Sequence, residues 1–279
     1  MSDNWIVGNL QSAFNTWNDK LAEIWSLITT TPQEFRGGDI WTVIVGINDG
    51  LKAVGYGLLV LFFAMSVFQS AAGFRDFQRP EFALRHLIRF VAAKVAVGSA
   101  MEIMTVIFAI CGGIVQSVMS GIGGMASASV TVPQEMVDTI EAVGFLQSIP
   151  LWLVTFIGSL FITILSFILI MTVYGRFFRL YFYTALAPLP LASFAGEGTS
   201  FAGKAFLKSY VGVCMEGVVI VLACMIFSAF ASTSGPVLDT SLSAVTMSWQ
   251  YVGETITSYI LLLLLSYTSK ILSKNWVSA

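Results

Sequence analysis

Two carboxylates stand where a carboxylate is costly to keep. Glu102 and Glu216 each interrupt an apolar run. Glu102 follows Lys94 by eight residues, and Glu216 follows Lys208 by the same eight. At a helical rise of ~1.5 Å per residue, each carboxyl lies ~12 Å beyond its lysine. If both helices leave one membrane face, the two groups share a depth. An ionisable side chain at that depth marks an aqueous path or a polar partner. Two chemistries fit. One is a ring of acid around a pore, or a proton relay. The other is a pair of protonated glutamates bonded across packed helices. By the same arithmetic Glu254 lies ~24 Å from Lys270, at the outer surface.

Other candidates carry less. Gly198 to Lys204 reads GTSFAGK, the glycine and lysine spacing of a phosphate-binding loop. Ala205 stands where a magnesium-holding hydroxyl belongs, and no strand pattern precedes the loop. A flexible turn explains its glycines. HExxH and GxSxG are absent, so no hydrolase constellation survives and no enzyme is expected. Cys111, Cys214 and Cys224 fall in apolar runs, which reads as helix packing. His86 is a lone histidine in a basic stretch, so no metal and no cofactor is expected. Gly112, Gly113, Gly121, Gly123 and Gly124 would permit close helix approach or a flexible outer end.

The elements that must hold these residues are membrane helices. Of the 279 residues 56% are hydrophobic and 11% charged, with a mean hydropathy of +0.82. A soluble domain carries about 25% charged residues. No stretch has the charge, apolar core and cleavage site of a signal peptide. The chain is organised around residues 174–208. Arg176 and Arg179 open this stretch, Lys204 and Lys208 close it, and Pro188 and Pro190 interrupt the apolar run between. Proline removes helix hydrogen bonds, and the run is too short to cross a ~30 Å core. Residues 180–195 therefore read as a broken re-entrant hairpin, with both ends cytoplasmic.

The fold class is all-α and membrane-integral, with about five spans. These fall at 51–73, 90–116, 149–174, 209–231 and 251–269. Residues 1–50 read as an extracytoplasmic segment ahead of a membrane domain over 51–279. Within it, residues 5–28 repeat apolar groups at spacings of three and four. That predicts an amphipathic helix lying flat on the membrane or against partners, anchored by Trp5, Trp17 and Trp25. Thr131 and Gln134 have capping-box spacing for a short helix through Glu141. Arg75, Arg79, Arg85 and Arg89 cluster after the first span. The positive-inside rule then puts the N-terminus outside and the C-terminus, with Lys270 and Lys274, in the cytoplasm. The cluster sets topology and meets anionic lipid, or touches nucleic-acid phosphates.

From Arg176 through Ala187-Pro188-Leu189-Pro190 and the turn Gly196 to Gly203 into Ser209 onward, the chain resembles the TrbL-type membrane proteins of conjugal type IV secretion. It resembles the short forms of Gram-positive conjugative elements, with no long hydrophilic C-terminal extension. The resemblance implies a homo-oligomeric channel component of the cytoplasmic membrane. Its partners would be other secretion subunits and cytoplasmic ATPases, and its cargo protein or single-stranded DNA with an attached relaxase. Arg176, Arg179, Lys204, Lys208 and the cluster Arg75, Arg79, Arg85 and Arg89 would form the cytoplasmic docking face. The N-terminal helix and residues 117–147 would form an outer assembly face. Two alternatives stay open: an ion-coupled transporter of small solutes, drawn from the broken hairpin and paired glutamates, and a non-conducting scaffold.

Overall fold

A computed structural model describes residues 5–71, 80–121, 130–233 and 242–278. Every regular element among them is helical. The order is α1 (Trp5–Thr29), a 3-10 turn (Phe35–Gly38), α2 (Asp39–Ala71), α3 (Pro80–Gly98), α4 (Ala100–Gly121), α5 (Gln134–Glu141), α6 (Phe145–Leu186), α7 (Pro188–Leu191), a second 3-10 turn (Ala192–Ala195), α8 (Ser200–Thr233) and α9 (Ala244–Ser278). Among the described residues, four stretches are long and apolar enough to cross a membrane: Phe35–Ser70, Ala100–Ser120, Ser148–Leu186 and Ser200–Ala229. The protein is a multi-pass helical membrane protein. Four expected spans fall on these stretches. The fifth, 251–269, falls on α9, whose side chains from residue 268 onward lie outside the described residues. Arg75, Arg79, Gly123, Gly124 and Asp239 lie outside them too.

The boundaries move for local reasons. The span expected at 90–116 is two helices, parted at Ser99, whose Oγ bonds the Val95 carbonyl at 2.7 Å. Gly-Ser pairs commonly bend helices. The span expected to end at Tyr174 runs on to Leu186. Arginine is a good helix former, and no proline arrives before Pro188, so nothing stops the helix at Arg176. The short helix before Glu141 exists, but its cap is Pro133 with no side-chain hydrogen bond, not the Thr131 box.

The chain forms two compact units. The first joins Met1–Thr29, Val115–Gly175 and Val218–Ser269. Here α1 is amphipathic as its spacing predicts, but protein covers its apolar face. Trp17 is fully buried and stacks on Tyr259 at 3.5 Å between centroids. Trp5 sits 5.6 Å from Trp152, and the Tyr174 hydroxyl donates to Glu23 at 2.5 Å. These contacts advance together along both helices, so α1 runs beside α6 in the same direction instead of lying across it. Asn18 fastens the 130s loop, giving and taking a hydrogen bond with the Val130 backbone at 2.9 and 3.1 Å.

The second unit joins Thr30–Ile114, Arg176–Gly217 and Lys270–Ala279. Its connection into α2 turns through left-handed backbone at Arg36, Gly37 and Gly38, a conformation that glycine adopts at no steric cost. Phe35 stacks on Phe177 at 4.2 Å, and the Tyr181 hydroxyl donates to the Pro32 carbonyl at 2.9 Å. Residues 32–35 and 177–181 therefore share one level. They cannot occupy opposite membrane faces, as the charge count alone would place them. The buried Asn48 amide donates to the Thr184 carbonyl at 2.7 Å, continuing the seam between α2 and α6.

Candidate functional site

The prolines do what their chemistry requires. α6 stops at Leu186, Pro188 opens the four-residue α7, a 3-10 turn follows, and α8 begins at Ser200. The chain reverses within about a dozen residues and satisfies much of its own backbone. Leu191 N donates to the Ala187 carbonyl at 3.2 Å, and Ser200 N donates to the Gly196 carbonyl at 3.2 Å. Ser193 Oγ donates to the Pro190 carbonyl at 2.7 Å and accepts from Gly203 N at 2.9 Å. The phosphate-loop lookalike is thus used for packing: a Cβ on Gly203 would lie 2.9 Å from Ser193 Oγ. Ala187, Leu191, Ala192 and Ala195 are fully buried, and the reversal packs on α2 and α3.

The outer end of the reversal is latched. Glu197 N donates to Ser66 Oγ at 3.3 Å, and Arg89 Nη2 donates to Glu197 Oε1 at 3.0 Å. The hydrogen bond from Arg89 holds the Glu197 carboxyl below its ordinary range, and Arg85 and His86 add to the effect. A depressed folded value means the latch is fully present above the unfolded carboxylate pKa of ~4.3 and is lost as pH falls through the folded value. Arg89→Gln is expected to raise the Glu197 midpoint, read as its side-chain carbon-13 titration. An unmoved midpoint would show that Arg89 is not what holds it. Both side chains are partly exposed, so the latch adds little global stability.

Beyond the reversal, α6 and α8 carry a buried charge cluster. Arg179 grips both oxygens of Glu216: Nη1 donates to Oε1 at 2.6 Å, and Nη2 closes the fork on Oε2. Glu216 is 2% exposed. Arg176, one turn away on α6, is equally buried. Its Nη2 makes a long 3.4 Å bond to the Cys214 carbonyl, while Nε and Nη1 have no acceptor. The Phe108 and Phe177 rings lie 5.8 and 5.9 Å from the guanidinium, within cation–π range. Gly217 makes the room, since a Cβ there would sit 2.7 Å from three guanidinium atoms. Phe108, Phe177 and Gly217 escape the sequence reading, because a glycine or phenylalanine in an apolar run looks like any other.

The sequence-selected residues therefore separate. Glu216 meets Arg179, whereas Glu102 is exposed on the first turn of α4, opposite the buried Met104. Arg176 and Arg179 lie within α6, turned towards α8, not at a helix end. Lys204, Lys208 and Arg85 are exposed, and Arg89 holds the latch. His86 is buried against Ser70, with 3.3 Å between Nε2 and Oγ. Among the described residues no group of three His, Cys, Asp or Glu is placed to hold a metal.

The family model described as TrbL/VirB6 plasmid conjugal transfer like protein matches residues 17–188, well over half of the chain. No curated protein and no solved structure matches it.

Proposed function

This chain belongs to the TrbL/VirB6 family of plasmid conjugal-transfer proteins, and on that premise we propose that it is a channel or assembly component of a type IV secretion machine in the cytoplasmic membrane, helping to move DNA–protein or protein cargo. The family match carries this reading. Other secretion-system components are its partners, and on this reading they include further copies of the chain and cytoplasmic ATPases.

The arrangement we favour is multi-pass, with α6 running past Tyr174 to Leu186. The reversal at 187–199 is then a re-entrant element, level with residues 48–66 of α2. Its packing on α2 supports this, because Val54, Val60, Leu61 and Phe68 on that stretch of α2 expose more than half of their surface, as lipid-facing residues do. The cytoplasmic docking face is built from Lys204, Lys208, Arg85 and Arg89, with Arg75 and Arg79 beside them in sequence. Arg176, Arg179 and Glu216 hold α6 to α8, and Glu102 faces the path between chains.

The test is complementation of a deletion strain, counting DNA transfer to recipient cells. Wild-type gene is expected to restore transfer. Each basic group near an anionic surface is worth ~1 kcal/mol. Lys204→Glu with Lys208→Glu is therefore expected to cut transfer at least ~10-fold with normal amounts of membrane protein. Undiminished transfer with the double variant removes the docking role. Transfer that never depended on the gene removes the secretion reading.

A further inference from the structure

Two guanidiniums on α6 stand opposite one carboxylate on α8. Arg176 and Arg179 are three residues apart, so they lie on one face of their helix. Glu216 sits in the fork of Arg179. Arg176 is 2% exposed, and its Nε and Nη1 have no acceptor. A buried charge is costly unless it is paired, and the Phe108 and Phe177 rings offset only part of that cost. The bare nitrogens lie beside the glutamate they lack. The Arg176 guanidinium donates to the Cys214 carbonyl at 3.4 Å, two residues before Glu216. It also rests against Gly217, the residue after it, where a Cβ would be 2.7 Å away. Consecutive Cα atoms are ~3.8 Å apart, so the Glu216 side chain starts one residue step from this guanidinium. Rotation about its own bonds carries the carboxyl there. The two arginines differ in how they bear its loss. Arg179 keeps 34% side-chain exposure and can turn towards water, whereas Arg176 cannot.

We propose that Glu216 is handed between Arg179 and Arg176, giving α6 and α8 two alternative buried ion pairs. In one state Arg179 holds the carboxylate, and Arg176 rests on aromatic rings and a carbonyl. In the other, Glu216 turns to the bare nitrogens of Arg176, and Arg179 swings outwards. No proton moves and no covalent bond changes, so the cluster keeps two cations and one anion throughout. The handover moves the tie between the helices by three residues of α6, or ~4.5 Å along its axis, without stranding the carboxylate. A helix pair with two such seats switches between them instead of deforming continuously. Because the device does not depend on what the protein carries, it can be tested apart from DNA transfer.

The full-length protein, labelled with nitrogen-15 in arginine, is studied in detergent micelles. The Arg176 Nε–Hε signal is identified by its loss in Arg176→Lys. Arg179→Gln is expected to fold and to move the Arg176 Hε signal downfield, as a hydrogen bond to a carboxylate does. Adding Glu216→Gln is expected to reverse that move. Thermal midpoints give a second readout. In the wild type, Arg176→Gln removes a bare buried charge and is expected to leave or raise the midpoint. In the Arg179→Gln background it removes the new partner of Glu216 and is expected to lower the midpoint by at least ~2 °C. An Arg176 signal that stays in place in Arg179→Gln overturns the proposal. So does an equal effect of Arg176→Gln in both backgrounds, or an Arg179→Gln protein that does not fold.

Discussion

Glu216→Leu is expected to deplete the protein from the membrane, not merely weaken transfer. Glu216 is 2% exposed, and Arg179 takes both of its oxygens. Without it Arg179 loses the carboxylate that takes its fork, and Arg176 keeps two nitrogens unsatisfied with no carboxylate nearby. Breaking a buried ion pair on one side costs ~3–5 kcal/mol, a large share of a typical ~5–15 kcal/mol stability. Arg179 retains 34% side-chain exposure and can turn towards water, so the lower end of that range applies. Immunoblots of washed membranes and thermal unfolding in detergent read the effect. Glu102→Leu is the matched control, because Glu102 is exposed on α4; it should leave protein amounts unchanged. Equal depletion in both would show that the structure has not distinguished the two glutamates. Adding Arg176→Met to Glu216→Leu should recover part of the loss, since it removes the charge with least access to water.

Two glycines on α2 give the second test, with opposite signs expected two residues apart. A Cβ on Gly55 would lie 2.9 Å from the Pro188 carbonyl oxygen, 3.1 Å from Val97 Cγ1 and 3.2 Å from Pro188 Cβ. Three elements meet there, and the nearest atom is backbone at the start of the reversal, which cannot step aside. Overpacking of this kind costs ~1–3 kcal/mol. A Cβ on Gly57 meets nothing within 4 Å. Alanine is favoured over glycine in a helix by ~1 kcal/mol, so Gly57→Ala should stabilise slightly. Thermal midpoints of the two variants should move apart. Midpoints moving in the same direction would mean that the reversal does not press on α2 at Gly55.

Several features were legible because they are local. The apolar composition fixed the membrane class, and no soluble alternative fits 11% charge. Pro188 and Pro190 announced the reversal, since proline acts on its own neighbours. The spacing of Leu10, Phe14, Trp17, Leu21, Ile24 and Ile28 gave α1 its amphipathic face. The same spacing did not say what covers that face. An apolar stripe is satisfied equally by lipid or by Tyr259, and only the packed structure chose the latter. The helix boundary at Tyr174 failed for a related reason. Arg176 and Arg179 look like a membrane edge in one dimension, but a cation inside a helix is tolerated when another helix supplies Glu216.

The glutamates mark the division most plainly. Both follow a lysine by eight residues, and the sequence could equate them in depth. It could not tell which face each presents. Glu216 turns inwards to Arg179 and Glu102 turns outwards, because the direction of a side chain is meaningful only relative to the neighbours that tertiary packing brings. What repeats along one chain is set by backbone geometry and is written in the sequence. Which helix meets which depends on contacts between residues distant in the chain, and only the folded structure decides it.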